Sequence, residues 1–115
     1  MSSRVAAVDC GTNSIRLLIA DVVDGRLQDV HREMRIVTLG EGVDATGEFA
    51  PAALARTEAA LADYVETMLA HDVTKVRMVA TSAARDAGNR DEFFAMTARQ
   101  LGRVMPGAVA EVITG

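Results

Sequence analysis

Val8-Asp9-Cys10-Gly11-Thr12-Asn13-Ser14 is the stretch that decides how this chain folds. It closes a short apolar run, Val5-Ala6-Ala7-Val8, and a second run, Ile15 to Ala20, follows at once. Two apolar runs joined this tightly make a β-hairpin. Gly11 can take φ > 0 without a Cβ penalty, and Thr12 to Ser14 offer short polar side chains beside exposed backbone N–H groups. Successive N–H groups in a turn form an anion-binding concavity, so the corner is a candidate phosphate cradle. Asp9, at the end of the first strand, suits a cation or a water beside that phosphate. The alternative is an ordinary polar turn in which Asp9 caps its own backbone.

Residues 4–10 carry almost no polar face before Asp9, which predicts a central strand covered on both sides. Residues 14–23 form the second strand, with Arg16 the polar exception, and Asp24-Gly25 is a two-residue hairpin turn into the third. That third strand runs from about Arg26 to Leu39, and His31-Arg32-Glu33-Met34-Arg35 is too polar for a central place. It is the expected edge strand, its charges guarding the open edge. The glycine-rich segment 40–47 reads as a loop. Pro51 fits the first turn of a helix reaching about His71, with Leu54, Leu61, Val65, Met68 and Leu69 facing inward. His71 reads as an exposed residue at that helix's C-terminus.

Lys75 to Thr81 is a fourth strand, parallel to a neighbour through a right-handed crossover. A polar segment, 81–88, follows it. Asn89 with Glu92 marks the start of a helix that turns Phe93, Met96, Thr97 and Leu101 inward and stops at Gly102. Val109 to Ile113 is the last strand. The order β-β-β-α-β-α-β describes an α/β fold with a mixed five-stranded sheet. Ligands of open α/β sheets bind beyond the carboxyl ends of parallel strands. Asp9, Thr81-Ser82 and Thr114-Gly115 end three such strands, and Arg85 stands four residues past the fourth, placed to reach an anion with its guanidinium.

Composition bounds the function. At 115 residues the chain is one small domain, 1–115; half its residues are hydrophobic but only 3% are aromatic, so Val, Leu, Ile, Ala and Met must build the core. A net charge of −4 argues against a general nucleic-acid or anionic-membrane binder. No apolar run approaches a membrane span, and Asp9 interrupts the N-terminal run too early for a signal peptide, so a cytoplasmic protein is expected. The single cysteine, Cys10, excludes an intrachain disulfide and reads as a small packing residue.

Three ordered segments carry a family resemblance. Ala7 to Leu18 resembles the opening phosphate-binding motif of the exopolyphosphatase and guanosine pentaphosphate phosphohydrolase family, within the actin-like ATPase, sugar kinase and Hsp70 superfamily. Arg35 to Val43 is similar to that family's charged third strand and glycine loop, and Ala80 to Asn89 to its fourth-strand motif. The resemblance implies a ribonuclease H-like (actin-like ATPase) half-domain. It also implies phosphoanhydride hydrolysis, releasing terminal phosphate from inorganic polyphosphate or guanosine pentaphosphate with Mg²⁺ or another divalent cation. By that resemblance Gly11, Thr12, Asn13, Ser14 and Arg85 bind phosphate and Asp9 serves the metal; Arg35 and Ser82 are lesser substrate contacts. The catalytic glutamate belongs to a Gly-x-Glu-Glu-Ala motif that would begin just after Gly115. The expectation is therefore an N-terminal subdomain of a longer enzyme, inactive alone, whose exposed apolar surface drives homo-oligomerisation. The alternatives are the N-terminal part of an ATP-dependent sugar- or acetate-type kinase and a non-catalytic phosphate-binding module.

Overall fold

Alternation of side chains explains the sheet. The computed structural model describes residues 3–113, and the side chains of all of these except Ser82 and Ala83. Strands β1 (Ser3–Cys10), β2 (Ser14–Val23) and β3 (Arg26–Ile36) form an antiparallel meander. Asp24 and Gly25, at φ 52° and 76°, make the tight left-handed turn between β2 and β3. After α1 (Val43–Thr46) and α2 (Pro51–Ala70), strand β4 (Lys75–Ala80) pairs parallel to β1. Helices α3 (Ser82–Asp86) and α4 (Arg90–Leu101) then lead to β5 (Glu111–Val112), parallel to β4. The sheet order is β3-β2-β1-β4-β5, so β1 is central and β3 is an edge, as its charges predict.

One expectation for β1 is overturned. Ala6, Val8 and Cys10 are buried, yet Ala7 and Asp9 on the opposite face are exposed. The cause is topological. β4 and β5 are added successively on the same side of β1, and right-handed crossovers that step in one direction leave both helices on one face. Among the described residues, α2 and α4 cover that face and no helix covers the other.

Helix α2 begins at Pro51, whose missing N–H costs nothing there. It buries Ala53, Thr57, Ala60, Leu61, Tyr64, Val65 and Met68, while Leu69, expected inward, stays 42% exposed on the rim of that stripe. The Tyr64 hydroxyl donates to the Ile15 carbonyl at 2.7 Å, tying α2 to β2. Helix α4 buries Phe93, Met96, Thr97 and Leu101 as expected. Gly102 ends it with a right-handed φ of −61°, so close approach and not a left-handed turn requires glycine: a Cβ there would lie 2.8 Å from the Ala98 carbonyl oxygen.

Asn89 is the N-cap of α4, but its side chain is used elsewhere. Its Oδ1 accepts from Phe49 N at 2.9 Å and its Nδ2 donates to Phe49 O at 3.0 Å, locking the segment before α2 onto the start of α4. Asn89→Ala leaves both half-buried backbone groups unpaired. It should destabilise the domain by about 1–3 kcal/mol, read as a lower urea midpoint; an unchanged midpoint would show that water replaces both bonds without loss.

The segment 40–47, expected as loop, contains the single turn α1 between Gly42 and Gly47, at φ 81° and 75°. The polar segment after β4 likewise winds into α3. The last strand is shorter than expected, although Ala108 and Ala110 before it are buried. Among the described residues, no helix is long and apolar enough to cross a membrane.

Candidate phosphate-binding site

The β1–β2 corner is held from behind. Gly11 N–H donates to the Ser14 carbonyl at 2.9 Å, closing the turn. The Thr12 carbonyl accepts from Gly40 N at 2.8 Å, and the Asn13 carbonyl accepts from Val37 N and Thr38 N, both at 2.9 Å. Among the described residues no peptide bond is cis. In a trans peptide the N–H points opposite to the C=O, so binding these two carbonyls turns the Asn13 and Ser14 N–H groups away from the 37–40 segment. Thr12 and Asn13 are exposed, and their amides have no acceptor among the described residues. This is the donor arrangement that an anion-binding turn requires.

The backing segment is itself braced. Thr38 sits at φ 50°, a left-handed conformation that costs a β-branched residue on the order of 1–3 kcal/mol. That backbone lets two successive N–H groups reach one carbonyl. A Cβ on Gly40 would lie 3.4 Å from the Thr12 Cβ, an ordinary contact, so the two segments pack closely without needing glycine there. Arg56 of α2 donates from Nε to Val37 O at 2.9 Å and from Nη2 to Thr38 O at 3.5 Å, and meets Glu41 Oε1 at 3.4 Å. Helix α2 therefore sets the loop, and the loop sets the corner.

The neighbouring strand ends gather at the same rim. Thr81 N donates to Cys10 O at 3.2 Å, and Ile113 N donates to Ala80 O at 3.1 Å. The carboxyl ends of β1, β4 and β5 thus lie side by side, as the convergence argument requires. Thr114 and Gly115, named for that rim, lie outside the described residues, as does the Ser82 side chain. Asp9 is exposed on the uncovered face, opposite Arg16 on β2 and beside Val79 on β4. Neither Asp9 nor Arg16 has an ion-pair partner among the described residues. No group of three or more His, Cys, Asp or Glu among the described residues is arranged to hold a metal ion.

A model of the Ppx/GppA phosphatase family matches residues 18–115. The chain belongs to this family. It is 68% identical over 117 residues to Exopolyphosphatase 2 of Mycobacterium tuberculosis, covering 98% of this chain and 37% of that protein. A putative exopolyphosphatase of Haemophilus influenzae is 32% identical over 111 residues, covering 96% of this chain and 33% of that one. The crystal structure of the Aquifex aeolicus Ppx/GppA family member superposes with a TM-score of 0.89 at 36% identity, over 99% of this chain and 36% of that chain. The chain thus spans about a third of the length of these relatives. The mixed five-stranded sheet is the actin-like ATPase fold that the resemblance implied.

In this Ppx/GppA chain the structure brings Asp9, Gly11, Thr12, Asn13 and Ser14 together and sets the end of β4 beside them. Arg85, in α3, is exposed and contacts only its neighbour Asp86, at 3.4 Å, among the described residues. Arg35 is placed differently. It faces α2, with Nη1 donating to Asp63 at 2.6 Å and its guanidinium 5.5 Å from the Tyr64 ring centroid, on the other side of the sheet from Asp9. Asp63 hydrogen-bonds it first and foremost and holds its pKa above the ordinary arginine value. The backing residues Thr38, Gly40 and Arg56 were not legible as site residues, because only long-range hydrogen bonds join them to the corner. Arg16 was legible in principle: alternation from Ser14 returns it to the face of Asp9.

Proposed function

We propose that the corner of residues 11–14 is a phosphate-binding wall of an exopolyphosphatase-type hydrolase acting on inorganic polyphosphate or guanosine pentaphosphate. The observation that carries this reading is the pair of carbonyls, Thr12 and Asn13, tied to the 37–40 segment so that adjacent amides face solvent. Fixed N–H donors of this kind stabilise charge on phosphoryl oxygens without reorganising. Arg85 adds a movable guanidinium at the rim, where little holds it back.

Asp9 fits a Mg²⁺ site of the sparse kind. Magnesium is commonly held by one or two carboxylates, with phosphate oxygens and waters completing an octahedron. Asp9, exposed one residue before the end of β1 and without an ion-pair partner among the described residues, would supply one such oxygen ligand. A bound cation there would neutralise phosphoryl charge. The chain's own part is to position the phosphate on the turn amides and the cation on Asp9. Attack by water also needs a base, and the resemblance puts that glutamate after Gly115. The 115-residue chain is therefore expected to bind and not to turn over.

Heteronuclear NMR titration with tripolyphosphate and Mg²⁺ tests this. Amide shifts should concentrate at Thr12, Asn13 and Ser14, and Asp9→Asn should weaken the Mg²⁺-dependent binding about tenfold or more. Shifts confined to residues elsewhere, or steady release of phosphate by the chain alone, would contradict the proposal.

A further inference from the structure

One short segment touches both parts of the phosphate site. Residues 37–49 leave β3, wind through α1 and lead into α2. At the first end, Val37, Thr38 and Gly40 hold the Thr12 and Asn13 carbonyls from behind. At the other end, the Gly47 carbonyl accepts from Gly88 N at 2.8 Å. Phe49 N donates to Asn89 Oδ1 at 2.9 Å, and Asn89 Nδ2 donates to Phe49 O at 3.0 Å. Gly88 and Asn89 follow closely on α3, the helix that carries Arg85. The two ends are joined by a bonded turn. The Thr46 hydroxyl donates to Gly42 O at 2.9 Å and accepts from Glu48 N at 3.2 Å, and Gly47 N donates to Val43 O at 2.7 Å.

Helix α3 needs support from outside itself. It is five residues long, too short to be stable alone. Among the described side chains its burial rests on Ala84, with Ala87 just beyond it, and two methyl groups bury little apolar area. Arg85 bonds only its neighbour Asp86 among the described residues, so its own side chain anchors nothing. Thr81 O fixes the start of the helix by accepting from Ala84 N at 3.0 Å. The bond at Gly88 and the two-pronged grip of Asn89 on Phe49 fix its end.

We infer that Asn89 is a positioning residue for Arg85: by gripping Phe49 it ties α3 to the segment that backs the turn amides, and so sets the guanidinium relative to a phosphate held on them. This rests on the reading of the corner and Arg85 as phosphate contacts. The corner itself does not depend on Asn89, because Arg56 separately holds Val37 O at 2.9 Å and Thr38 O at 3.5 Å at the other end of the segment. Loss of the Asn89 side chain therefore frees Arg85 and leaves the turn amides in place. The effect of Asn89 on binding passes through Arg85, which makes the two residues energetically coupled although neither touches the other's side chain among the described contacts.

A double-mutant cycle on tripolyphosphate affinity in the presence of Mg²⁺, read by titration calorimetry, tests this. Arg85→Ala should weaken binding about tenfold, the loss of a charge-assisted hydrogen bond. Asn89→Ala should weaken it about threefold or more, and should have no further effect once residue 85 is alanine. Thr46→Val, at an exposed position, removes the hydroxyl that joins Gly42 to Glu48 and should show the same dependence on Arg85 at smaller size. Circular dichroism checks each variant, and Thr46→Val decides the question if Asn89→Ala does not fold. In heteronuclear NMR spectra the Arg85 Nε–H should shift with tripolyphosphate in the wild type and not in Asn89→Ala, while the Thr12, Asn13 and Ser14 amides shift in both. Losses from Asn89→Ala and Thr46→Val that are the same with and without Arg85 would overturn the inference. So would an Arg85 signal that responds unchanged in Asn89→Ala. Wild-type corner amides that move without any response from Arg85 would leave the corner standing and overturn the positioning role alone. Silent amides at Thr12 to Ser14 would overturn the phosphate reading on which it rests.

Discussion

Phe93→Ala is expected to cost about 3–5 kcal/mol, the range for truncating a fully buried aromatic side chain. Phe93 is fully buried on α4, with its ring centroid 5.7 Å from Phe49 and 5.3 Å from Phe94. Only 3% of the residues are aromatic, so this cluster concentrates most of the aromatic area in the core. It joins the segment before α2 to α4, where Asn89 also holds Phe49 by both backbone groups. A helix anchored at both ends collapses poorly into a void, so the cavity term adds to the lost transfer energy. Domains of this size are stable by about 5–15 kcal/mol, so the variant should be partly unfolded at modest denaturant. Urea unfolding should show a large drop in midpoint at unchanged slope, and Phe93→Leu should recover most of it. A loss below about 1 kcal/mol would show that Phe49 and Phe94 close over the gap.

What the sequence disclosed, and what it withheld, follows from the range of the forces involved. The Asp24-Gly25 turn, Pro51 at the start of α2 and the buried side of α4 are local chemistry, and each stands where pattern alone placed it. Helices α1 and α3 are single turns, too short for periodicity to register. They depend on contacts such as Gly88 N to Gly47 O, at 2.8 Å. The open face of β1 was hidden because Val5 and Ala7 are apolar on the side that lacks a covering helix, so alternation had nothing to show until Asp9. Strand parity also decides between arginines. Arg16 and Arg35 are both strand residues near the corner, but the pairing of Ile15 with Arg35 turns Arg35 toward α2, while Arg16 lies opposite Asp9. The candidate site was legible as a turn with donors. Its rigidity was not, because the carbonyl bonds that aim the amides come from Val37, Thr38 and Gly40.

Alkaline pH should unfold this domain, and Cys10, within the corner's own stretch, should be the chief cause. Its thiol is wholly buried, and burial, with a smaller part from the Asp9 carboxylate, pushes its pKa up to about 12 from 9.0. Tyr64 moves the same way, to about 12, because burial and the charge of Glu33 disfavour the phenolate more than Arg35 favours it. Both groups are neutral when protonated, and the folded state holds those protons more tightly than the unfolded chain. Their contribution is therefore complete below pH 9 and is lost as pH rises toward 12, where the unfolded chain has already ionised. For Cys10 the loss amounts to roughly 4 kcal/mol at the top of that window. Urea unfolding at a series of pH values should show the midpoint falling steeply above pH 9. Cys10→Ala should be less stable at neutral pH, by a small cavity, yet show a shallower fall, so that the two curves converge or cross. An equal slope in both proteins would place the alkaline sensitivity elsewhere. Asp9→Asn offers a finer discrimination. Removing its charge leaves the thiol as buried as before and lowers its folded-state pKa only slightly, so the fall should still begin near pH 9 and only its total extent should shrink a little, whereas a much smaller fall would make the Asp9 carboxylate and not burial the main restraint on Cys10.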